Sequence, residues 1–468
     1  MNQNKLFEKS INLIGKKQFD KALKILLNLH KQNPKNLEIY LALEHTKMGL
    51  CDWKNLSNRE KKIIKWIKAK ISNKEKINFP LCYVWANISE ELFAQLNNLN
   101  QNIKKKLYPI GRKKNKEKIK IGYLSLDFRS HSAGISLLPL IKTHNKKKFD
   151  VFLYTYSSFK FLKSFNYKFR NIEKLNIQKI INTISRDNLD ILIDTTANLL
   201  NSKSPVLNFN PASLNLSSWG YGEICNQRSS FTIADKEIIN RYSKIVKNLS
   251  FIKTKYYHPI PYKKINNKNI SRNFFGLPKN SILIGNFNAA YKLHPNLFTS
   301  WINILKKIKN AKLVLMVENS VVKNNLVKTM KNKKLNPNKI IFVKKINYTK
   351  HLQRLSTLDL LLDNPRLGGG STLSDGVSVG TPSLSYKSNL VASFSGGCIL
   401  KSYNLKEYFS KSIKEYEKNA VRILKNKKIL IEAKNKFFQV KKDLPKTWNR
   451  TVKDYNKILI KFSKMALC

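Results

Sequence analysis

The sequence predicts an α/β protein made of two tandem Rossmann-like units preceded by a short all-helical region. Three observations carry that expectation. From Ile119 onward, short apolar runs ending in polar residues alternate with helical patterns, as buried parallel strands alternate with crossover helices. The alternation breaks off once, in the polar stretch 259–280, and then restarts. Ahead of Ile119 the spacing is helical throughout. A chain of 468 residues is also too long for one core.

Taken in order, residues 4–50 read as helices, with Leu6, Ile11 and Ile14 on one and Phe19, Ala22, Leu23, Leu26 and Leu27 on the next. Gly15, Phe19, Ala22 and Pro34 fall where a tetratricopeptide repeat places its small, aromatic and terminating residues. One repeat cannot bury its own face, so a short helical stub packed on the following domain is expected. NREKKIIKWIKAKI and ISEELFAQLNNL extend the helical region to about residue 110, and GRKKNKEK (111–118) reads as a linker. The first α/β unit spans about 119–260, with KIGYLSLDF, FDVFLYTYS, DILIDTTA, PASLNLSSWGY and FTIAD as its strand-like runs. The second, about 281–410, runs through SILIGNFN, AKLVLMV, KIIFVKK, LDLLLDN and TPSLSYK, with helical patterns between. Residues 411–468 carry Lys-faced helices.

Composition narrows the function classes. Hydrophobic residues make up 42% and the formal net charge is +59. Lys far outnumbers Arg and travels evenly with Asn and Ile through every kind of element. That texture is a bias of composition, not a selected patch, so nonspecific, salt-sensitive polyanion binding is expected but no specific nucleic-acid partner. There is no apolar run of eighteen residues and no secretory-type start, so no membrane span and a cytoplasmic location are expected. Five scattered cysteines without a CxxC pair predict free thiols, neither a disulfide framework nor a zinc site. G-x-G-x-x-G, the P-loop and G-x-S-x-G are all missing.

Several residues could carry chemistry. In DNPRLGGGSTLSDGVSVGTP (363–382) a strand ends, glycines follow, and Ser371 and Thr372 stand ahead of a helix. Glycine admits close approach of a ligand, and a helix N-terminus can hold a diphosphate; the other reading is an ordinary strand-to-helix turn. Asp375, one turn in, could accept hydrogen bonds from ribose hydroxyls. Lys292, in GNFNAAYKLHP after a strand, could neutralise departing phosphates or be one more solvated lysine. No acidic pair for Mg²⁺ stands nearby, which fits departure without a metal. His351 and Arg354, at i and i+3, could stack on a base. His131, after the first strand of the first unit, could position or deprotonate an acceptor hydroxyl.

Together these segments resemble the catalytic region of the O-linked N-acetylglucosamine transferase and SPINDLY family, over about residues 119–410 and in the same order. KIGYLSLDFRSHSAGISLLPLI is similar to the family's opening strand and Asp-Phe-Arg-x-His stretch, PASLNLSSWGY to its Pro-Ala-Pro and Gly-Tyr-Pro-Gly region, and GNFNAAYKLHP to its Asn-Phe-Asn-x-x-Tyr-Lys element. HLQRLSTLDLLLDN and GGGSTLSDGVSVGTP resemble the donor-binding end. The resemblance implies the GT-B fold and inverting transfer of a sugar from a nucleotide to protein Ser or Thr. By position it implies Lys292 on the donor diphosphate, His351 and Arg354 flanking uracil, Ser371 and Thr372 at the phosphates, Asp375 at the ribose and His131 near the acceptor. It implies a UDP-sugar donor carrying N-acetylglucosamine or another hexose, with GDP-fucose the alternative, and an acceptor on protein Ser/Thr, protein Asn or a glycan.

Departures stand beside it. The family's Gly-His-Thr-Thr is Gly369-Gly370-Ser371-Thr372, a glutamine three before Lys292 is Ala289, the Gly-Tyr-Pro-Gly turn is Gly220-Tyr221-Gly222-Glu223, and a Gly-His-Thr reads Ala197-Asn198-Leu199. Each removes polar contact, and a lost hydrogen bond to a charged group costs about 1.5–3 kcal/mol. A degenerate member that binds a nucleotide or a partner without turnover is therefore the alternative reading.

Overall fold

The computed structural model describes residues 2–77, 118–126, 132–156, 167–196, 202–218, 231–235, 250–254, 270–366, 370–388 and 394–465, with single residues between them. Two compact units divide the chain, residues 1–93 with 262–443 and residues 94–261 with 444–468.

The N-terminal helices are α1 (Gln3–Gly15), α2 (Phe19–Gln32), α3 (Leu37–Gly49) and α4 (Leu56–Ser72). Asn side chains start two of them: Asn2 accepts from the Asn4 N–H, and Asn36 accepts from the Ile39 N–H at 3.1 Å. The sequence predicts that these helices pack on the domain that follows them in the chain, and they do not group with it. They belong with the second sheet. The reason lies in α3, which is buried on nearly every side, at Leu37, Ile39 through Thr46, Met48 and Gly49. A helix without a polar face needs cover from more than its neighbouring helices. Gly49 is pressed against Phe19, whose ring leaves no room for a Cβ.

In the unit formed by 94–261 and 444–468, seven parallel strands lie in the order β3-β2-β1-β4-β5-β6-β7. They are β1 (Ile119–Ser125), β2 (Phe149–Thr155), β3 (Lys168–Asn171), β4 (Ile191–Asp194), β5 (Leu214–Ser218), β6 (Phe231–Asp235) and β7 (Ser250–Thr254). Alternate strand residues feed two cores. Ile121, Tyr123, Leu153 and Ile193 face α5 (Ser132–Lys142) and the end of the C-terminal helix, through Tyr455, Leu459 and Phe462. Leu124, Tyr154 and Leu192 face α6 (Ile177–Arg186) through Ile180 and Ile184. Burial on both faces is why these strands read as continuous apolar runs.

The other unit holds a second parallel sheet in the order β10-β9-β8-β11-β12-β13. Its strands are β8 (Ile282–Asn286), β9 (Ala311–Met316), β10 (Ile340–Val343), β11 (Leu360–Leu362), β12 (Ser383–Tyr386) and β13 (Phe409–Ser410). The helices are α7 (Pro295–Lys307), α8 (Ser320–Asn332), α9 (Tyr348–Leu355), α10 (Gly370–Val379), α11 (Phe394–Ser402) and α12 (Ile413–Lys425). From β8 the chain winds outward through β9 to β10, then returns to place β11 on the other side of β8, paired Leu360 with Ile284 and Leu361 with Gly285. That reversal makes the carboxyl ends of β8 and β11 a topological switch point. The last helix, α13 (Lys427–Met465), is 39 residues long, with Pro445 inside it. Among the described residues no helix is long and apolar enough to cross a membrane.

Candidate active site

Both loops singled out in the sequence leave the switch point. β8 ends at Asn286, whose side-chain amide donates to the Leu362 carbonyl at 2.7 Å, so the ends of β8 and β11 are tied together. The Asn286 side-chain oxygen accepts from the Asn288 N–H at 3.1 Å, and the chain then turns through the short 3₁₀ segment Ala290–Lys292. Beyond β11, the buried Asp363 carboxylate accepts from the Ser385 hydroxyl and the Asn364 N–H, each at 2.7 Å. Asn364 donates its side-chain amide to the Lys292 carbonyl at 2.6 Å. The backbone of Lys292 is thereby held from the neighbouring strand end. Burial lowers the Lys292 ammonium to about 8, against the attraction of Asp363, which works to raise it, while Lys17 works to lower it further. A half-buried cation at a strand end is a ready counter-charge for an anion.

The helix after β11 is α10, beginning at Gly370, with Ser371 and Thr372 half-buried in its first turn. The Thr372 hydroxyl donates to the Asn288 side-chain oxygen at 3.3 Å, which connects the helix start to the Lys292 loop. One turn on, Asp375 Oδ1 accepts from the Tyr348 hydroxyl at 2.5 Å. Tyr348 opens α9, the helix that carries His351 and Arg354. Those two converge on Phe287: the His351 ring meets it edge-on at 5.2 Å between centroids, and the Arg354 guanidinium lies over it at 4.8 Å. Arg354 also donates to the Lys344 carbonyl at 2.9 Å and approaches His351 Nδ1 at 3.4 Å. Burial, helped by Arg354, pushes the imidazole down to about 4, so His351 is neutral at pH 7 with its proton on Nε2.

Six of the seven residues named from the sequence are thus brought to one place. Lys292, Ser371 and Thr372 flank the switch point, and His351, Arg354 and Asp375 are joined to it through Phe287, Tyr348 and Asn288. His131 lies outside the described residues. Asn286, Phe287, Asn288, Tyr348, Asp363 and Asn364 were missed as supports. Three of them carried a signal: Tyr348 precedes His351 by one helical turn, and Asp363 and Asn364 are polar residues at the end of an apolar strand. Chemically, a lysine, a helix N-terminus and an aromatic wall with neutral imidazole and guanidinium donors suit a nucleoside diphosphate.

Two doubly wound parallel sheets in tandem, the second bearing this constellation, define the GT-B class of glycosyltransferase fold. Residues 261–457 match the model of glycosyl transferase family 41. Over 68% of this chain and 34% of its own length, "Probable UDP-N-acetylglucosamine--peptide N-acetylglucosaminyltransferase SEC" of Arabidopsis thaliana is 23% identical. A SPINDLY protein of Hordeum vulgare, whose name also reads as such a transferase, is 23% identical over 63% of this chain and 33% of its own. A mutant O-GlcNAc transferase of Thermobaculum terrenum shares the fold at a TM-score of 0.79 and 14% identity, covering 99% of this chain and 92% of that one. Residues 261–457 thus resemble glycosyl transferase family 41, and about two thirds of the chain is similar to proteins named as SEC and SPINDLY peptide N-acetylglucosaminyltransferases. The chain spans about a third of the length of the curated relatives it matches.

Proposed function

We propose that the chain transfers a sugar, N-acetylglucosamine or another hexose, from a UDP-sugar to a Ser or Thr hydroxyl of a protein, with inversion and without a metal. The observation that carries this reading is the Lys292 turn and the α10 N-terminus side by side at the switch point, linked through Thr372 and Asn288. In this reading the nucleoside stacks against the Phe287, His351 and Arg354 wall, Asp375 takes the ribose, and the diphosphate lies between Lys292 and the first turn of α10. The acceptor oxygen bonds to the anomeric carbon from the face opposite the phosphate while the bond to the phosphate oxygen breaks. Charge collects on the leaving diphosphate, where a fixed ammonium and fixed N–H groups stabilise the transition state more than the ground state. His131, named on sequence alone, is the candidate to receive the hydroxyl proton.

The test is a thermal-shift series with UDP, GDP, UDP-N-acetylglucosamine, UDP-glucose and GDP-fucose at fixed salt, followed by transfer to a protein acceptor with and without EDTA. A ligand at 100 times its Kd stabilises the folded state by about 2.7 kcal/mol. A shift with UDP and its sugars, and transfer unchanged by EDTA, is the expected result. A shift without any turnover selects the degenerate, nucleotide-binding reading, to which the apolar Ala289 and the bare Gly370 point.

A further inference from the structure

The N-terminal helices touch the proposed donor loops directly. The α2 and α3 rings of Phe19 and His45 lie 6.5 and 5.4 Å from Tyr291, the residue before Lys292. Cys51 Sγ faces the Ala290 carbonyl at 3.8 Å. The most pointed contact comes from α4. Its Glu60 carboxylate pairs with the Arg366 guanidinium and stands 3.6 Å from His294 Nε2, and the three side chains are only 10–13% exposed.

The two partners of Glu60 sit on the two loops of the site. His294 caps α7, two residues after Lys292; its Nδ1 accepts from the Asn296 N–H at 3.2 Å, which leaves the ring proton on Nε2, facing Glu60. Arg366 leads into the glycine run before α10. A buried guanidinium whose partner is removed is an uncompensated charge, and such a site relaxes by moving toward water. The burial that would raise the Glu60 carboxyl is outweighed by His294 and Arg366, so it stays ionised.

We infer that Glu60 is a positioning residue for nucleotide binding: from the helical region, it holds the Lys292 loop, through His294, and Arg366 beyond β11 in the one arrangement that grips a diphosphate. The helical region then serves the donor side of the reaction. This rests on the donor-site reading above.

The experiment is calorimetric titration of the full chain with UDP, comparing wild type, Glu60→Asp, Glu60→Gln and the double variant Glu60→Gln/Arg366→Met. Each protein's unliganded melting temperature and far-UV spectrum are recorded alongside. The double variant removes both charges together and so leaves no orphan ion to unfold it. Leu326→Ala, a truncation in the core beneath α8, supplies a destabilised control. A tenfold or larger rise in the UDP Kd for the double variant, a smaller rise for Glu60→Asp, and an unchanged Kd for Leu326→Ala are expected. A wild-type Kd in folded Glu60→Asp or in the double variant overturns this inference alone. Failure of the wild type to bind UDP or GDP overturns the donor-site reading and this inference with it.

Discussion

Lys292 sets two opposed pH dependences in one side chain. Burial brings its ammonium down from 10.5 to about 8, so the free protein loses that charge as pH rises through about 8. If it meets the donor diphosphate, kcat/KM for the nucleotide sugar falls across that pH, and the fall vanishes in Lys292→Met. Stability moves the other way. Between about 8 and 10.5 the unfolded chain binds this proton and the folded chain does not, so unfolding becomes less favourable as pH rises. Urea midpoints for wild type and Lys292→Met, taken at pH 7.5 and 10, should show the excess rise in the wild type only. At fixed pH, Lys292→Ala should lower kcat about 100-fold or more, the loss seen when one fixed donor to a developing charge is removed. Lys328→Ala, on an exposed position of α8, should leave the rate unchanged; equal rates in the two variants would remove Lys292 from the mechanism.

At the scale of elements, α10 is seated more tightly than its Ser- and Gly-rich sequence suggests. A Cβ on Gly376 would lie 2.5 Å from Leu361 Cδ2 and 2.8 Å from Ser383 Oγ, so the helix rests directly on β11 and β12. Gly376→Ala should cost about 1–3 kcal/mol by denaturant titration and weaken nucleotide binding, because the helix start shifts with its body. A variant of unchanged stability and affinity would show that α10 has slack. The same contact explains what could be read beforehand. Strands buried on both faces announced themselves as apolar runs, and the Gly-Ser-Thr opening of α10 was visible as a turn into a helix. β3, β7 and β13 were not, because they are short strands at or near the sheet ends with polar or mixed composition, KFRN, SFIKT and FS. Nor could spacing reveal Glu60, since its partners stand more than 230 residues away and are joined to it only by packing. Its neighbours in NREKKIIKWIKAKI read as an ordinary charged helix face.

Across the whole molecule, neutral buried histidines tie stability to acidity. His45 is pushed down to about 3, His144 to about 4 and His351 to about 4, each mainly by burial. Unfolded, they take up protons near 6.5; folded, they do not, so stability is lost as pH falls from about 6.5 toward 4, at about 1.4 kcal/mol per pH unit for each. His144 is the cleanest probe, fixed between the Tyr123 hydroxyl and Asn456 Oδ1, both at 2.7 Å. His144→Gln should flatten the acid limb by one histidine's share, and an unaltered slope would show that its burial is relieved by other means. Asn456 belongs to α13, and that helix is shared: residues to 443 count with one unit and those from 444 with the other, the division falling beside Pro445, which has no N–H to offer the Lys441 carbonyl. Neither unit is therefore continuous along the chain. A ribosome that has made both sheets has not yet made Leu459 and Phe462, which close the core over β1 and β4. The first sheet to be synthesised is the last to be sealed, and until then its apolar face is open to chaperones and to other nascent chains.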